Sequence, residues 1–489
     1  MSTRFSTKQA FLFTVINYLG VLIGVISTLF VYPEDKDLLG VFRFVDGLAQ
    51  ILYPIMVLGA STALLNFQPK LEPFLQRKLF SYSMISIVWM TIFCAIGLGL
   101  VYYFDWYSNK QYYIYAFFIA ICLAYVDLFK RQATNLQKLA FPTFFEKIIP
   151  KIALPFVFIL VLYFAKTEQQ GLQFYTISFV LILLAVGTYV FKHFKPVYTL
   201  QYNDLFQKLS KKQYYQYSLY AFCASLGSFF AFRIDSVMIP HFISNEANGD
   251  FNIGVNLANA LMIPAVGVFT LYSPVISEAL KKNELSILKE KYVEVAKNLF
   301  FIGMLMYGCV LLGIKDFFEL LPTGSKLMPA LPVIYLLGAN VILNISTGFN
   351  TEIIAYSKHY RFNLIAILLL AVLNIGLNYF ILTQTSFEIV GVAYASLFSM
   401  VVFNCSKLWY IYKKFKIVPF NNIYAKVVGS ALIILTILHF FPLNDFWIFG
   451  FVIKCFLFVS VFGGVVYFKE WVPQLNVFVK NILSKITKS

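Results

Sequence analysis

The sequence contains little charge and few of the residues that carry out enzyme chemistry. Only 13% of its 489 residues are charged, and it has four histidines and six cysteines. No cysteine belongs to a CxxC pair, and the histidines are scattered near the ends of apolar segments, so no metal-ligand pattern is visible. Walker A and GxSxG motifs are absent as well. We therefore expect neither an enzyme nor a bound metal or cofactor.

Apolar sequence is abundant instead. Hydrophobic residues make up 60% of the chain, more than a soluble interior of this size can bury, and a spanning helix needs about 20 of them in succession. Fourteen suitable segments can be placed: 9–31, 39–66, 79–104, 112–130, 148–165, 171–191, 214–240, 250–276, 293–314, 329–356, 360–383, 388–412, 422–441 and 445–468. The predicted fold is an all-α polytopic membrane protein with 14 transmembrane helices.

The basic residues are distributed unevenly between the two sides of the predicted membrane. Thirty of the 39 lie in the two ends and in every second loop, including helix flanks such as Lys407. The seven opposite loops hold five: Lys36, Lys110, Lys166, Lys315 and Lys326. The positive-inside rule then places both termini in the cytoplasm. The net charge of +16 is explained by contacts with membrane lipids, and nucleic acid is not an expected partner.

Two stretches of the chain resemble each other. Residues 40–52 (GVFRFVDGLAQIL) and 249–261 (GDFNIGVNLANAL) agree at five of thirteen positions, and each opens a helix that enters from the predicted outer side. A six-helix offset preserves orientation, which is the pattern of a parallel repeat with a substrate site between the halves. We predict an N-lobe (1–205, helices 1–6), a C-lobe (206–418, helices 7–12) and a C-terminal pair with a cytoplasmic tail (419–489).

Four charged residues lie in the outer halves of predicted helices. Arg43 and Asp46 share one face of helix 2, and Arg233 and Asp235 lie in helix 7. Each such charge costs about 2.5–3.5 kcal/mol at a helix centre, so it needs a reason. One interpretation is a polar cavity between the lobes whose arginines bind an anionic group. The other is that each Arg–Asp pair neutralises itself and holds helices together.

Further polar residues extend this hypothesis. Asn17 in helix 1, and Asn256 and Asn259 on one stripe of helix 8, are candidate cavity residues. Asp127 and Glu352 are candidate residues for coupling to H⁺ or Na⁺, although both are close enough to the cytoplasmic face to pair with lysines. Two more basic residues, Lys151 and Lys454, also lie within predicted helices, and snorkelling explains Lys454.

Several segments resemble a known family. FNTEIIAYSKHYRFN (349–363), VLNIGLNYFIL with Asn374 and Asn378, and the following IVGVAYASL are similar to consecutive passages of the polysaccharide-biosynthesis (Wzx-like) flippases. FRIDSVMI around Arg233 and Asp235 resembles their helix 7. These flippases belong to the multidrug/oligosaccharidyl-lipid/polysaccharide (MOP) exporter superfamily. The resemblance extends over nearly the whole chain, and the order and spacing of the motifs carry it.

The resemblance implies a flippase of the bacterial inner membrane. Its substrate would be an undecaprenyl-pyrophosphate-linked oligosaccharide, such as an O-antigen, capsule or exopolysaccharide unit, moved to the outer leaflet by alternating access. Other glycan-assembly membrane proteins are candidate partners. Two alternatives stay open. A cation-coupled multidrug exporter of the same superfamily would have an acidic site without balancing arginines. A membrane glycan polymerase or acyltransferase would need a long external loop with clustered carboxylates.

Overall fold

The computed structural model describes residues 7–104, 110–197, 199, 201–440 and 449–477, with side chains from Tyr18 onward apart from 101, 270 and 449. Every regular element in these ranges is helical, as predicted. The α-helices are α1 (Thr7–Phe30), α2 (Lys36–Val57), α3 (Ala60–Phe67), α4 (Pro73–Tyr103), α5 (Lys110–Asn135), α6 (Ala140–Tyr163), α7 (Glu168–His193), α8 (Asn203–Lys208), α9 (Lys211–Arg233), α10 (Asp235–Phe242), α11 (Asn245–Ala260), α12 (Ile263–Lys281), α13 (Leu285–Glu319), α14 (Gly324–Leu327), α15 (Leu331–Ser346), α16 (Asn350–Tyr356), α17 (Arg361–Gln384), α18 (Glu388–Phe415), α19 (Asn422–Phe440) and α20 (Phe449–Phe468). Three short 3₁₀ helices cover Tyr32–Glu34, Gln68–Lys70 and Met328–Ala330.

Many of these helices are long and apolar enough to cross a membrane. Among the described residues ten do so alone, and two bent pairs, α9 with α10 and α11 with α12, raise the number to as many as 12. Of the other predicted spans, α6 carries three charges in its first half (Glu146, Lys147 and Lys151), and the described side chains of α1 begin at Tyr18. All fourteen predicted segments coincide with a helix or a broken helix, but the count of fourteen crossings stays a prediction.

Four segments predicted as continuous helices are broken. The chain bends by 48° between α9 and α10 and by 50° between α11 and α12. Helix 2 breaks at Leu58 and Gly59, which both have positive φ (45° and 74°), and helix 10 breaks before α16, where Gly348 has a φ of 62°. A hydropathy profile does not detect such breaks because it averages over a window about as long as a span.

Contacts divide the chain into two compact units. The first contains residues 1–252 and 374–384, and the second contains 253–373 and 385–489. In the first unit α2 packs on α5 and α9, while α6 and α7 pack on each other; in the second, α13 packs on α15 and α20, and α15 on α18. The predicted lobe boundaries at 205/206 and 418/419 rest on the sequence repeat and stay a prediction.

The surface of α4 shows how this protein meets lipid. Trp89, Phe93 and Ile96 follow one another at helical spacing, and each is more than 60% exposed. A continuous apolar stripe of this kind would be unfavourable in water, whereas hydrocarbon solvates it well. The polar segment after α7 holds the short helix α8. Lys78 of α4 donates to Asp204 of α8 over 2.6 Å, and this bond lowers the pKa of the Asp204 carboxyl.

The break between α2 and α3 yields a stability prediction. At Gly59 a Cβ atom would lie 1.9 Å from the carbonyl oxygen of Ser218, and φ is already positive. Gly59→Ala should therefore lower the free energy of unfolding by about 2 kcal/mol or more. Gly97 of α4 is the control, because nothing lies within 4 Å of its Cβ position and alanine favours a helix. Thermal unfolding in detergent measures both; equal stability of Gly59→Ala and the unmodified protein would contradict this account of the break.

Candidate functional site

The first part of the site is an ion pair on α2. Asp35 caps the helix by accepting from Leu38 N at 2.9 Å, which sets where the helical register begins. Arg43 and Asp46 follow the first residue of α2 by seven and ten positions. Their side chains lie on one face of the helix, 3.8 Å apart and mostly buried. The Tyr175 hydroxyl of α7 donates to Asp46 at 3.2 Å. The structure therefore brings Arg43, Asp46 and Tyr175 together, and the role of Arg43 and Asp46 as cavity residues stays a prediction.

Arg43 is only partly satisfied by these contacts. Its guanidinium carbon lies 5.9 Å from the centre of the Tyr32 ring, a cation–π distance. Its Nε atom is buried and has no hydrogen-bond acceptor among the described residues. A buried guanidinium N–H without an acceptor is costly, so Arg43 retains the capacity to bind a further acceptor.

Arg233 joins the same cluster from α9. It is the last residue of that helix, and its side chain is exposed. The carboxylate with the largest electrostatic effect on it is that of Asp46, and Tyr175 also acts on it. Arg233 is thus an exposed residue within electrostatic reach of Asp46 on α2 and Tyr175 on α7.

Lys151 of α6 is a third cation in this cluster. A Cβ atom at Gly20 of α1 would lie 3.3 Å from Lys151 Nζ, so the missing side chain at Gly20 makes room for the ammonium group. Among charged groups Lys147, one turn earlier, has the largest electrostatic effect on Lys151, and Arg43 and Arg233 follow. The sequence marked Lys151 as a helical lysine, but it gave no indication that the lysine belonged with the arginines.

The cluster formed by Arg43, Asp46, Lys151 and Arg233 has an excess of positive charge. In the described part of the chain, neither Lys151 nor Arg233 has a carboxylate within 4 Å. One acid thus faces three cations in a low-dielectric environment, where unbalanced charge is costly. The arrangement is suited to binding an anionic group, and the hypothesis that each Arg–Asp pair neutralises itself does not describe Arg233.

Asp235 is held by other partners. It is 8% exposed and accepts hydrogen bonds from Asn374 Nδ2 at 3.4 Å and from Asn378 Nδ2. The bend after Arg233 separates the two side chains, so Arg233 and Asp235 enter different environments despite being two residues apart. The Asn-x-x-x-Asn motif of α17 thereby acquires a structural role that the sequence did not reveal.

The predicted asparagines are placed less clearly. Asn17 lies outside the residues whose side chains are described. Asn256 is half-buried and Asn259 is exposed, and both belong to the second unit. Their neighbour Asn252 belongs to the first unit, where it is buried and donates to Asn248 at 2.9 Å. The proposed role of Asn17, Asn256 and Asn259 as cavity residues stays a prediction.

The candidate coupling residues both have protein partners. Asp127 accepts from the Ser61 hydroxyl and lies 3.5 Å from Arg131, one turn later on α5. Glu352 is half-buried on α16, and Lys407 is the charged residue that acts on it. The fourth basic residue within a predicted helix, Lys454, lies 3.7 Å from Asp316.

The two repeated segments meet in the first unit. A Cβ atom at Gly40 would lie 1.8 Å from the Asn245 carbonyl oxygen, and one at Gly249 would lie 2.2 Å from that of Lys36. Lys36 and Asn245 each precede the glycine of their own copy by four residues and begin α2 and α11. The contact is therefore reciprocal. The glycine of each copy packs against the backbone of the residue that begins the other copy's helix, as in a pair related by a two-fold axis.

Polar bonds close this contact. Lys36 Nζ lies 2.8 Å from Asp250 Oδ1, with both side chains about nine-tenths buried. Asn248, fully buried, donates to the Gly40 carbonyl at 2.9 Å and to that of Ser236 at 3.2 Å. Glycine permits the backbones to approach, and the ion pair stabilises the approach. Helices 2 and 8 are thus joined at their predicted outer ends.

The Lys36–Asp250 pair can be tested by reversing its charges. Lys36→Asp or Asp250→Lys alone places like charges in a largely buried contact and should lower the free energy of unfolding by roughly 2–4 kcal/mol, because an uncompensated buried charge remains. The double reversal should recover most of that loss. The same swap at the exposed pair Lys282 and Glu278 should change little. Thermal unfolding in detergent measures all variants, and additive losses in the double variant would count against the ion pair.

Known structures share this fold. The lipid II flippase MurJ, in an inward closed conformation, superimposes with a TM-score of 0.69 at 12% identity, covering 94% of this chain and 99% of MurJ. An inward-facing MATE multidrug transporter of the MOP superfamily gives 0.60 at 14% identity, covering 83% of this chain and 98% of its own. A MOP superfamily transporter from Pyrococcus furiosus, described as having a binding pocket of reverse polarity, gives 0.55 at 13% identity with coverage of 84% and 98%.

Sequence comparison gives no such relatives. No protein-family model and no curated protein matches the chain. At 12–14% identity the structural likeness shows the fold alone, and at that level it confirms the predicted resemblance.

Proposed function

We propose that this protein is a flippase that moves an undecaprenyl-pyrophosphate-linked oligosaccharide from the inner to the outer leaflet by alternating access. The observation that carries the proposal is the cluster of Arg43, Lys151 and Arg233, in which three cations face the single carboxylate of Asp46. A pyrophosphate group supplies the negative charge that such a cluster lacks.

The chemistry of the cations suits this headgroup. Guanidinium groups bind phosphate oxygens through paired N–H donors, and an ammonium adds a compact charge. The exposed side chain of Arg233 and the unused Nε donor of Arg43 are available for such bonds. Outward movement of a negative charge is also favoured by an inside-negative potential, by about 2.3 kcal/mol per charge per 100 mV. The site therefore has to bind the substrate without retaining it.

The reciprocal glycine contact supports alternating access. Backbones that touch through Gly40 and Gly249 are joined by few bonds, chiefly Lys36–Asp250 and the amide of Asn248. Such a contact closes tightly yet can separate as a unit. In the positive-inside orientation the glycine contact lies at the outer side, and it closes that side while the charged cluster is open to substrate from the cytoplasm.

A multidrug or organic-cation exporter is the competing proposal, since MATE transporters share the fold. Three cations disfavour it, because a cationic substrate would be repelled by the cluster. The chain is also covered more fully by MurJ than by the multidrug transporter, 94% against 83%. A glycan polymerase or acyltransferase lacks a structural relative among these matches. The bacterial inner membrane, cytoplasmic termini, a polyprenyl-linked partner and coupling to H⁺ or Na⁺ belong to the proposal.

The cationic cluster yields a transport prediction. Arg233→Gln and Lys151→Gln should each lower flipping of a fluorescent undecaprenyl-pyrophosphate-linked oligosaccharide in proteoliposomes by at least about tenfold, the effect of 1.4 kcal/mol. Lys192→Gln is the matched control, because it removes an exposed lysine in the last turn of α7, in the same unit. Both variants should also fail to complement a flippase-deficient strain while expressing normally. Full activity in both would remove the proposed site.

Asp46 yields a prediction of opposite sign for binding. Asp46→Asn can still accept from Tyr175 but leaves three cations without a counter-charge. The variant should bind the pyrophosphate-linked lipid more tightly, on the order of tenfold, and release it more slowly, so that turnover falls. Equilibrium binding and single-turnover flipping separate these effects. Weaker binding of the anion by Asp46→Asn would favour the exporter instead. Binding of a lipophilic cation by the unmodified protein would favour it as well.

A further inference from the structure

Lys407 is a buried charge that the proposed transport site does not use. It lies on α18 in the second unit, 2% exposed, although its position near a helix end predicted a cytoplasmic flank. Its Nζ donates to the Thr351 hydroxyl at 2.6 Å and lies 3.8 Å from the centre of the Phe403 ring. In the described part of the chain no carboxylate lies within 4 Å of it.

A polar network continues from Thr351 to the break between α15 and α16. The Thr351 hydroxyl donates to Asn350 Oδ1 at 3.1 Å. Asn350 Nδ2 in turn donates to Thr347 Oγ1 at 2.8 Å and to Asn404 Oδ1 at 3.1 Å. Asn350, Thr347 and Asn404 are all at least 95% buried. The network therefore fixes the broken backbone around Gly348 to α18, and Lys407 stands at its end.

Lys407 faces one charged group. Glu352 follows Thr351 on α16, is half-buried, and is the charged residue that acts on Lys407. The sequence of α15, the other helix that packs on α18 here, contains no charged residue. On α18 itself the nearest charged residues are Lys413 and Lys414, almost two turns away. Thr351 and Ala355 are exposed, so the Glu352 side of α16 has access to the surroundings.

We propose that Lys407 and Glu352 form a proton-binding site whose occupancy controls the break between α15 and α16. The ligand is a proton, taken up or released at the exposed side of α16. The exchange runs through water at the exposed side of α16: an N–H bond of the Lys407 ammonium breaks and an O–H bond forms on water, and no other bond changes. Loss of this proton removes one charge from a setting that disfavours charge, and the Glu352 carboxylate opposes the loss.

The hydrogen-bond network shows how such a transfer changes the structure. An ammonium can only donate, so the Thr351 hydroxyl accepts from it and gives its own proton to Asn350. A neutral amine can also accept, and Thr351 can then donate to Lys407 instead. Asn350 would lose that donor, and its bonds to Thr347 and Asn404 would rearrange. One proton thus selects between two arrangements of the same buried groups.

This inference rests on the proposed function in one respect only, namely that the controlled motion is the transport cycle. Within that cycle H⁺ would be the coupling ion. Lys407 would act together with Glu352, the coupling residue that the sequence suggested. The proton site itself can be observed in the full chain without any substrate.

The test is an NMR titration of the full-length protein in lipid nanodiscs, with ¹³C at the lysine Cε positions and Lys407→Arg to assign the resonance. We expect the Lys407 resonance to change with pH over the interval in which flipping changes. Glu352→Gln should move the midpoint by about one pH unit, which corresponds to about 1.4 kcal/mol of interaction. Lys413→Arg, an exposed position on the same helix, should alter neither.

Flipping measured against pH completes the test. Lys407→Arg keeps a permanent charge and should flatten the pH profile, whereas a purely structural role would be preserved by the arginine. A Lys407 resonance that does not change over this interval, or that ignores Glu352→Gln, would overturn the proton site. The proposed function fails separately, if Arg233→Gln and Lys151→Gln flip normally while Lys407 still titrates as expected.

Discussion

A charge in hydrocarbon has no water to stabilise it, so the protein must supply its partners, and this requirement shapes both units. Arg43 and Asp46 have each other and the Tyr175 hydroxyl. Asp235 is surrounded by two amide groups of α17. Where partners are incomplete, as for the excess cations beside Asp46, the structure holds a charge that its described side chains do not balance.

Breaks in the helices allow polar groups to contact these buried charges. A continuous helix directs neighbouring side chains around its axis and uses all its backbone groups internally, whereas a break frees carbonyls and turns successive residues in different directions. The bend after Arg233 sends that residue and Asp235 into separate surroundings. The break before α16 brings Asn350 and Thr351 onto α18, where Lys407 would otherwise have no polar contact. The breaks and the buried charges thus depend on each other.

Hydropathy and charge asymmetry were sufficient to predict the all-helical membrane fold and to locate each helix, although α4, α6 and α13 begin six to eight residues before their predicted bounds. The same reasoning identified Arg43, Asp46 and Arg233, because a charge in an apolar segment stands out. Their partners could not be derived in this way. Arg233 interacts with Asp46 across most of the first unit's sequence, and no local pattern encodes that contact.

Two lysines show the limit more sharply. Lys151 lies in the charged half of α6 and Lys407 near the end of α18, so both resemble residues that reach the membrane surface. Whether a lysine snorkels or stays buried depends on what packs over it. Gly20 opens space for Lys151, and α16 covers Lys407. Gly20 and α16 belong to helices other than those of the lysines. A hydropathy profile does not show which helices are neighbours in the fold.

In the proposed function, the single acid among the three cations keeps the site from binding its substrate too tightly to release it. Three unopposed cations would bind a pyrophosphate group tightly, and tight binding would slow its release, since each 1.4 kcal/mol of added affinity is a tenfold change. Asp46 offsets one charge and keeps Arg43 oriented through a 3.8 Å contact. Because folds of this kind host unrelated substrates, the fold alone does not select among them. The residual positive charge of the cluster is the reason that the proposed function has an anionic substrate.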